Sequence, residues 1–151
     1  MPRGNRFDLK AFLPYLLNQA AEVSSLEFQH VYKDRYGLLR TDWRVLFHLG
    51  LAGRMTAGEI CTVSKTHKTK ISRAVQRLAD RRFLSRSRDT QDRRLEHLEL
   101  TPAGQAAYND LRNVAETYDA TLAAQLTDAE VTVLRRALSK LAQVEPVGRS
   151  L

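Results

Sequence analysis

The amino-acid sequence predicts a mainly α-helical chain with one small two-stranded β-hairpin. Apolar residues recur three and four apart along most of its 151 residues, the repeat of one helical face. Only over residues 84–100 does the repeat change to alternation, and residues of the capping type stand where helices would begin.

Taken in order, Leu9, Phe12, Leu13, Leu16, Leu17 and Ala20 mark a long first helix. Pro14 lacks the N–H a helix interior needs, so it belongs to the first turn or to a kink, and Gly37 ends the helix after Tyr36. Thr41 is the expected N-cap of a second helix carrying Trp43, Leu46, Phe47 and Leu49, closed by Gly50 or Gly53. Thr56 with Glu59 forms a capping box that opens a short third helix through Ile60, Cys61 and Val63. After the polar turn Ser64-Lys65-Thr66-His67, a fourth helix carries a narrow apolar stripe of Ile71, Ala74, Val75 and Leu78. Leu84–Arg88 and Arg94–Leu100 then alternate around the turn-forming Asp89-Thr90-Gln91-Asp92-Arg93, which predicts the hairpin. Thr101 followed by Pro102 starts a long helix through Ala107, Leu111, Val114, Tyr118, Leu122 and Leu126. Thr127 with Glu130 caps a last helix through Val131, Leu134, Leu138 and Leu141, and Pro146 is expected to end the ordered chain.

Length and composition exclude several classes. A chain of this size buries roughly 70% of its unfolded surface, so its 43% hydrophobic content suffices for an ordinary core. The single cysteine, Cys61, rules out an intramolecular disulfide framework and a Cys-rich zinc site. Nothing approaches the roughly eighteen apolar residues of a membrane span, and Met-Pro-Arg-Gly-Asn-Arg has no secretory core, so a cytoplasmic protein is expected. The four histidines, at 30, 48, 67 and 97, show no metal-ligand spacing, and no cofactor is expected.

The formal charge of +7 is concentrated. Residues 1–64 carry 8 basic and 6 acidic side chains and residues 95–151 carry 5 and 8, whereas residues 65–94 carry 11 and 3, a local +8. A solvated, salt-bridged helix would interleave carboxylates with these bases, yet there is none between Lys65 and Ala79. Two helices, a short helix, a basic helix, a basic hairpin and two long helices make a winged helix-turn-helix module with helical arms. In such modules the second helix of the pair enters the major groove of double-stranded DNA, and the basic fourth helix has that build.

At the hairpin the sequence becomes specific. Asp92-Arg93-Arg94, followed by Leu100-Thr101-Pro102-Ala103-Gly104, resembles the wing of MarR-family transcriptional regulators, and Leu9–Ala20, Thr41–Leu46, Glu59-Ile60 and Lys68–Val75 resemble the family in order and spacing. The resemblance covers nearly the whole chain. It implies a single MarR-like domain over 1–151, with 1–37 and 102–146 as a helical dimerisation region and 38–101 as the winged module. It further implies a homodimer on a pseudopalindromic operator, most often as a repressor. Carried over by position, Lys68, Thr69, Lys70, Ser72, Arg73, Gln76 and Arg77 form the DNA-reading helix, with Arg73 and Gln76 suited to guanine and adenine edges. Arg94 is then the minor-groove residue of the wing, Arg86, Arg88 and Arg93 accompany it, and Asp92 holds the loop through a pairing with Arg86. Two positions depart from the family pattern: Arg82 stands where glycine usually ends the reading helix, and His67 where an aspartate usually starts it.

Members of the family often bind small anionic aromatic effectors, for which Tyr15, Trp43, Phe47, His48 and Tyr108 are the candidate lining, although each of them reads more readily as an ordinary core residue than as a ligand contact. Cys61 reads as a compact hydrophobe rather than a redox sensor. Two other functions remain to be weighed: an architectural winged-helix DNA-binding protein without an effector, and an enzyme built on Cys61 with a histidine, for which no motif exists.

Overall fold

A computed structural model describes Gly4 and residues 6–143, so the expectation for Pro146 lies outside the described residues. The chain forms two compact units, Met1–Ala115 and Glu116–Leu151. Most of the described residues are helical: α1 (Leu13–Tyr36), α2 (Arg40–Ala52), α3 (Ala57–Ser64), α4 (Lys68–Asp80), α5 (Pro102–Ala123) and α6 (Asp128–Ala142).

In the first unit, α1 begins after a separate 3₁₀ turn at Leu9–Ala11, with Pro14 in its first turn, where the missing N–H costs nothing. Gly37 ends it in the left-handed conformation at φ 63°, as its position predicted. The start of α2 differs from expectation. Leu39 rather than Thr41 is the N-cap, and the Asp42 carboxylate accepts from the Leu39 N–H at 2.9 Å, so an acid inside the first turn does the capping. Gly53 closes α2. Gly50 sits inside the helix because the Tyr108 ring lies against it; a Cβ there would come within 2.6 Å of the ring.

The wing is a three-stranded sheet, not the two-stranded hairpin expected. β2 (Leu84–Arg88) and β3 (Glu96–Leu100) pair antiparallel, and β1 (Arg54–Thr56) adds to the far side of β3, with Met55 opposite Leu98. Three residues bounded by Gly53 and a capping box are too few to show an alternation in sequence.

The core of this unit gathers Phe28, Tyr32, Leu38, Val45, Leu46, Leu49, Ile60, Leu98 and Leu111 with the stripe of α4, every member of which is buried. The first half of α1 contributes nothing to it: Phe12, Leu13, Leu16 and Leu17 are all exposed. In the second unit α6 opens on the predicted capping box, Thr127 with Glu130, and Arg135 pairs with Asp119 at 2.7 Å. An open apolar groove of about 480 Å³ runs along Leu126, Ala129, Val133, Leu134 and Ala137.

The exit of α4 is held by several contacts. Arg82 adopts φ 61°, its N–H donates to the Ala79 carbonyl and the Phe83 N–H to that of Leu78, the two bonds of a Schellman end. The Thr101 hydroxyl donates to the Arg82 carbonyl at 2.6 Å, the Thr101 N–H donates to that of Phe83, and Arg81 Nη2 donates to that of Gly37 at 2.9 Å. Gly104 lies so close that a Cβ would fall 1.9 Å from the Phe83 oxygen. With its neighbours held on every side, Arg82 keeps a conformation that costs a side-chain-bearing residue roughly 1–2 kcal/mol. Arg82→Gly is therefore expected to raise stability by about 0.5–1 kcal/mol after the greater flexibility of unfolded glycine is deducted. Urea unfolding measures it, and an unchanged or lower midpoint contradicts the strain.

Candidate nucleic-acid interface

Helix α4 presents its polar face because its apolar stripe is buried behind it. Lys68, Thr69, Lys70, Ser72, Arg73 and Gln76 are all exposed, and Gln76 Nε2 donates to Asp80 Oδ1 at 2.8 Å along the same face. His67 takes over the capping of the missing aspartate: its Nδ1 accepts from the Thr69 N–H at 3.2 Å, which puts the ring proton on Nε2. Lys65, the C-cap of α3, has φ 51° and is, with Arg82, one of two basic residues in the left-handed region among the described residues.

Arg77 departs from the expectation. Instead of lying with the exposed set, it turns to Asp42, a carboxylate with no solvent exposure. Its Nε lies 2.8 and 3.0 Å from the two oxygens and its Nη2 lies 2.7 Å from Oδ1. Asp42 went unremarked in the sequence. An acid three residues into a helix signals capping, but its partner lies 35 residues away and no local pattern announces it.

The wing loop is likewise held by a residue other than the one expected. Asp92 Oδ1 accepts from the N–H and Nε of Arg94, at 3.1 and 3.2 Å, and Arg86 pairs with Glu96 at 3.6 Å. The expected Asp92–Arg86 pair is absent. Asp89 does the holding: one oxygen accepts from the Gln91 and Asp92 N–H groups at 2.7 and 3.1 Å, and the other lies 2.9 Å from His97 Nε2. Arg88 Nη1 closes the loop on the Arg93 carbonyl at 2.8 Å. These bonds leave the Arg94 side chain 91% exposed at the tip, with Arg86, Arg88 and Arg93 also exposed. A turn aspartate at 89 was visible in the sequence as composition; its pairing with His97 depends on the β2–β3 register.

The candidate ligand residues divide. Trp43, Phe47 and Tyr108 come together, but they pack edge to face on one another: Phe28 to Trp43, Trp43 to Phe47 and Phe47 to Tyr108 are 5.2, 5.3 and 5.2 Å between centroids. His48 is half-buried, and burial, then Arg44, lowers its pKa. Tyr15 lies on the exposed half of α1. Cys61 is half-buried, no cluster of three metal-binding side chains occurs among the described residues, and no helix there is long and apolar enough to cross a membrane.

Residues 36–95 match the MarR family. No curated protein matches the chain significantly. Among solved structures, a MarR family transcriptional regulator from Silicibacter pomeroyi DSS-3 is 28% identical, with a TM-score of 0.74 over 90% of this chain and 99% of its own. BpsR of Bordetella bronchiseptica, whose DNA binding is regulated by 6-hydroxynicotinic acid, is 21% identical with a TM-score of 0.83 over 93% and 100%. A mutant MarR from E. coli complexed with operator DNA is 22% identical with a TM-score of 0.76 over 85% and 92%. The resemblance read from the wing therefore holds in sequence over residues 36–95 and in fold over about nine-tenths of the chain.

The His97 contact, followed by the Gln91 and Asp92 N–H groups, lowers the Asp89 carboxyl from 3.8 to about 2. A depressed carboxylate contributes stability above its ordinary value and loses it as pH falls through the folded one, so the turn should hold above about pH 4 and loosen toward pH 2. In an NMR titration the Gln91 and Asp92 amide shifts are expected to move with a midpoint near 2; a midpoint near 3.8 would contradict the Asp89 cradle.

Proposed function

We propose that this MarR-family winged-helix chain is a homodimeric, sequence-specific DNA-binding transcriptional regulator, acting as a repressor in the cytoplasm. The observation that carries the reading is the pairing of α4 with the wing: bases exposed over both, with no carboxylate among them between Lys65 and Ala79. Lys68, Thr69, Lys70 and Ser72 contact phosphates and base edges, Arg73 and Gln76 read bases in the major groove, and Arg94 enters the minor groove. Arg86, Arg88 and Arg93 meet phosphates from the wing. Arg77 and Asp92 contribute through the bonds that hold α4 and the loop.

A second copy is the natural cover for the apolar residues left on the helical arms. Phe12, the N-cap of α1, with Leu13, Leu16 and Leu17 within it, are 36–62% exposed, and in the second unit Val133, Leu134, Leu138 and Leu141 of α6 are 39–52% exposed; rows of large apolar side chains at helical spacing are the kind of surface a partner covers. A two-fold pair of reading helices then matches a site with half-sites one helical turn apart. The domain division follows: residues 1–37 and 102–146 pair the copies, and 38–101 read DNA.

An effector belongs to the same reading. A small aromatic carboxylate would bind by Tyr15, Trp43, Phe47, His48 and Tyr108, displacing some of the edge-to-face contacts that Trp43, Phe47 and Tyr108 make, and would release DNA by binding the released arrangement better.

Sedimentation equilibrium should report twice the 17.2 kDa chain mass, and a monomer would contradict the dimer. Selection from random duplexes should recover one symmetric site. Recovery of no enriched sequence would favour an architectural DNA-binding protein instead. On the selected site, Arg94→Ala should weaken binding and reduce the logarithmic salt slope by about 1; unchanged affinity and slope would remove Arg94 from the interface. Gel shifts with and without aromatic carboxylates test the effector.

A further inference from the structure

The stripe of α4 decides which side the helix buries, but not how far it rolls. Ile71, Ala74, Val75 and Leu78 form a narrow face with two small members, and apolar burial is non-directional, so a modest roll about the helix axis changes little buried area. At 3.6 residues per turn, Thr69, Arg73 and Gln76 lie opposite the stripe, whereas Arg77 lies on one flank beside Lys70 and Ser72 on the other. A roll of about 20° would carry a side-chain tip at the ~6 Å radius of a helix sideways by ~2 Å, enough to break a hydrogen bond to a base edge.

One contact made from the flank of the helix bears directly on that roll. The guanidinium of Arg77 grips both oxygens of Asp42 at 2.7 to 3.0 Å, a geometry that specifies direction as well as distance. Asp42 in turn is held in place: it is fully buried in the first turn of α2, and the Leu39 N–H donates to its Oδ2 at 2.9 Å. We propose that Asp42 and Arg77 are a positioning pair that sets the roll of α4 and so decides which base edges Lys70, Arg73 and Gln76 meet. The proposal rests on the DNA-binding reading above and adds that sequence preference depends on an ion pair held behind the reading face.

Two variants test it. Asp42→Leu combined with Arg77→Met removes both charges at constant net charge and leaves no buried ion unpaired. Arg77→Lys keeps the charge but loses the planar fork. Each is checked for folding by thermal unfolding, then titrated at one salt concentration against the site selected by the unaltered chain and against a scrambled duplex. The ratio of the two affinities should fall about tenfold or more, the size of one lost base readout. Affinity for the scrambled duplex and its salt slope should stay, because Lys68, Lys70, Arg73 and the wing cations remain.

A folded variant that keeps the original ratio overturns the proposal, and so does an equal loss on both duplexes, which would make Arg77 a phosphate contact. If the double variant does not fold, Arg77→Lys decides. If neither folds, the pair is a requirement of folding rather than a setting of the roll, and the proposal fails. An unaltered chain that selects no sequence would instead remove the sequence-specific reading on which the proposal rests.

Discussion

A helix that faces outward with its polar side must be held from behind, and the buried carboxylate of Asp42 is where that holding is most demanding. An ion with no solvent exposure is tolerated only when its bonds are complete, and here Arg77 and the Leu39 N–H complete them. The same carboxylate caps α2, so the start of one helix and the orientation of another share an atom group. Beneath it Ile71, Ala74, Val75 and Leu78 supply the apolar area that docks α4, and the remainder of its surface is free to be basic.

The far end of α4 is fastened in a different way. No charge is buried there; the chain instead brings backbone against backbone. Thr101 takes the Arg82 and Phe83 carbonyls as acceptors, Gly104 makes room for the Phe83 oxygen, and Arg81 reaches the Gly37 carbonyl. Tyr36 packs on Phe83 at 5.9 Å and donates to Asp110 at 2.6 Å, where Arg35 also binds. Burial, then the bond to Asp110, pushes the Tyr36 hydroxyl up to about 12, and the same bond, followed by Arg35, holds the Asp110 carboxyl below its ordinary value. The turn that leaves α4 is thus tied to the end of α1 and to α5, and Arg82 accepts its strained angle because its neighbours are held.

The wing shows how a loop can be ordered and still leave its cations outward. Asp89 uses one oxygen on two backbone N–H groups and the other on His97, and Arg88 closes the loop through a carbonyl, so the acids nearest the tip are occupied within the loop. Arg94, although it meets Asp92, extends almost wholly into solvent. Apart from Arg77, the cations of the local +8 read from residues 65–94 lie exposed on and around α4 and the wing, on either side of the hydrogen-bonded turn at Arg82.

Local rules made most of this architecture legible. Periodicity placed the stripe of α4, Thr56 with Glu59 and Thr127 with Glu130 placed two helix starts, and Gly37 placed a helix end, because each depends on residues within one turn of the chain. The concentration of charge and the wing motif likewise needed no coordinates. What sequence could not supply were the partnerships across distance: Asp42 with Arg77, Asp89 with His97, Gly50 beneath Tyr108, Gly104 beneath Phe83, and β1 along β3. Each depends on side chains or backbone brought together by docking of whole elements. A turn of helix encodes its own period and caps, but not the neighbour against which it comes to rest.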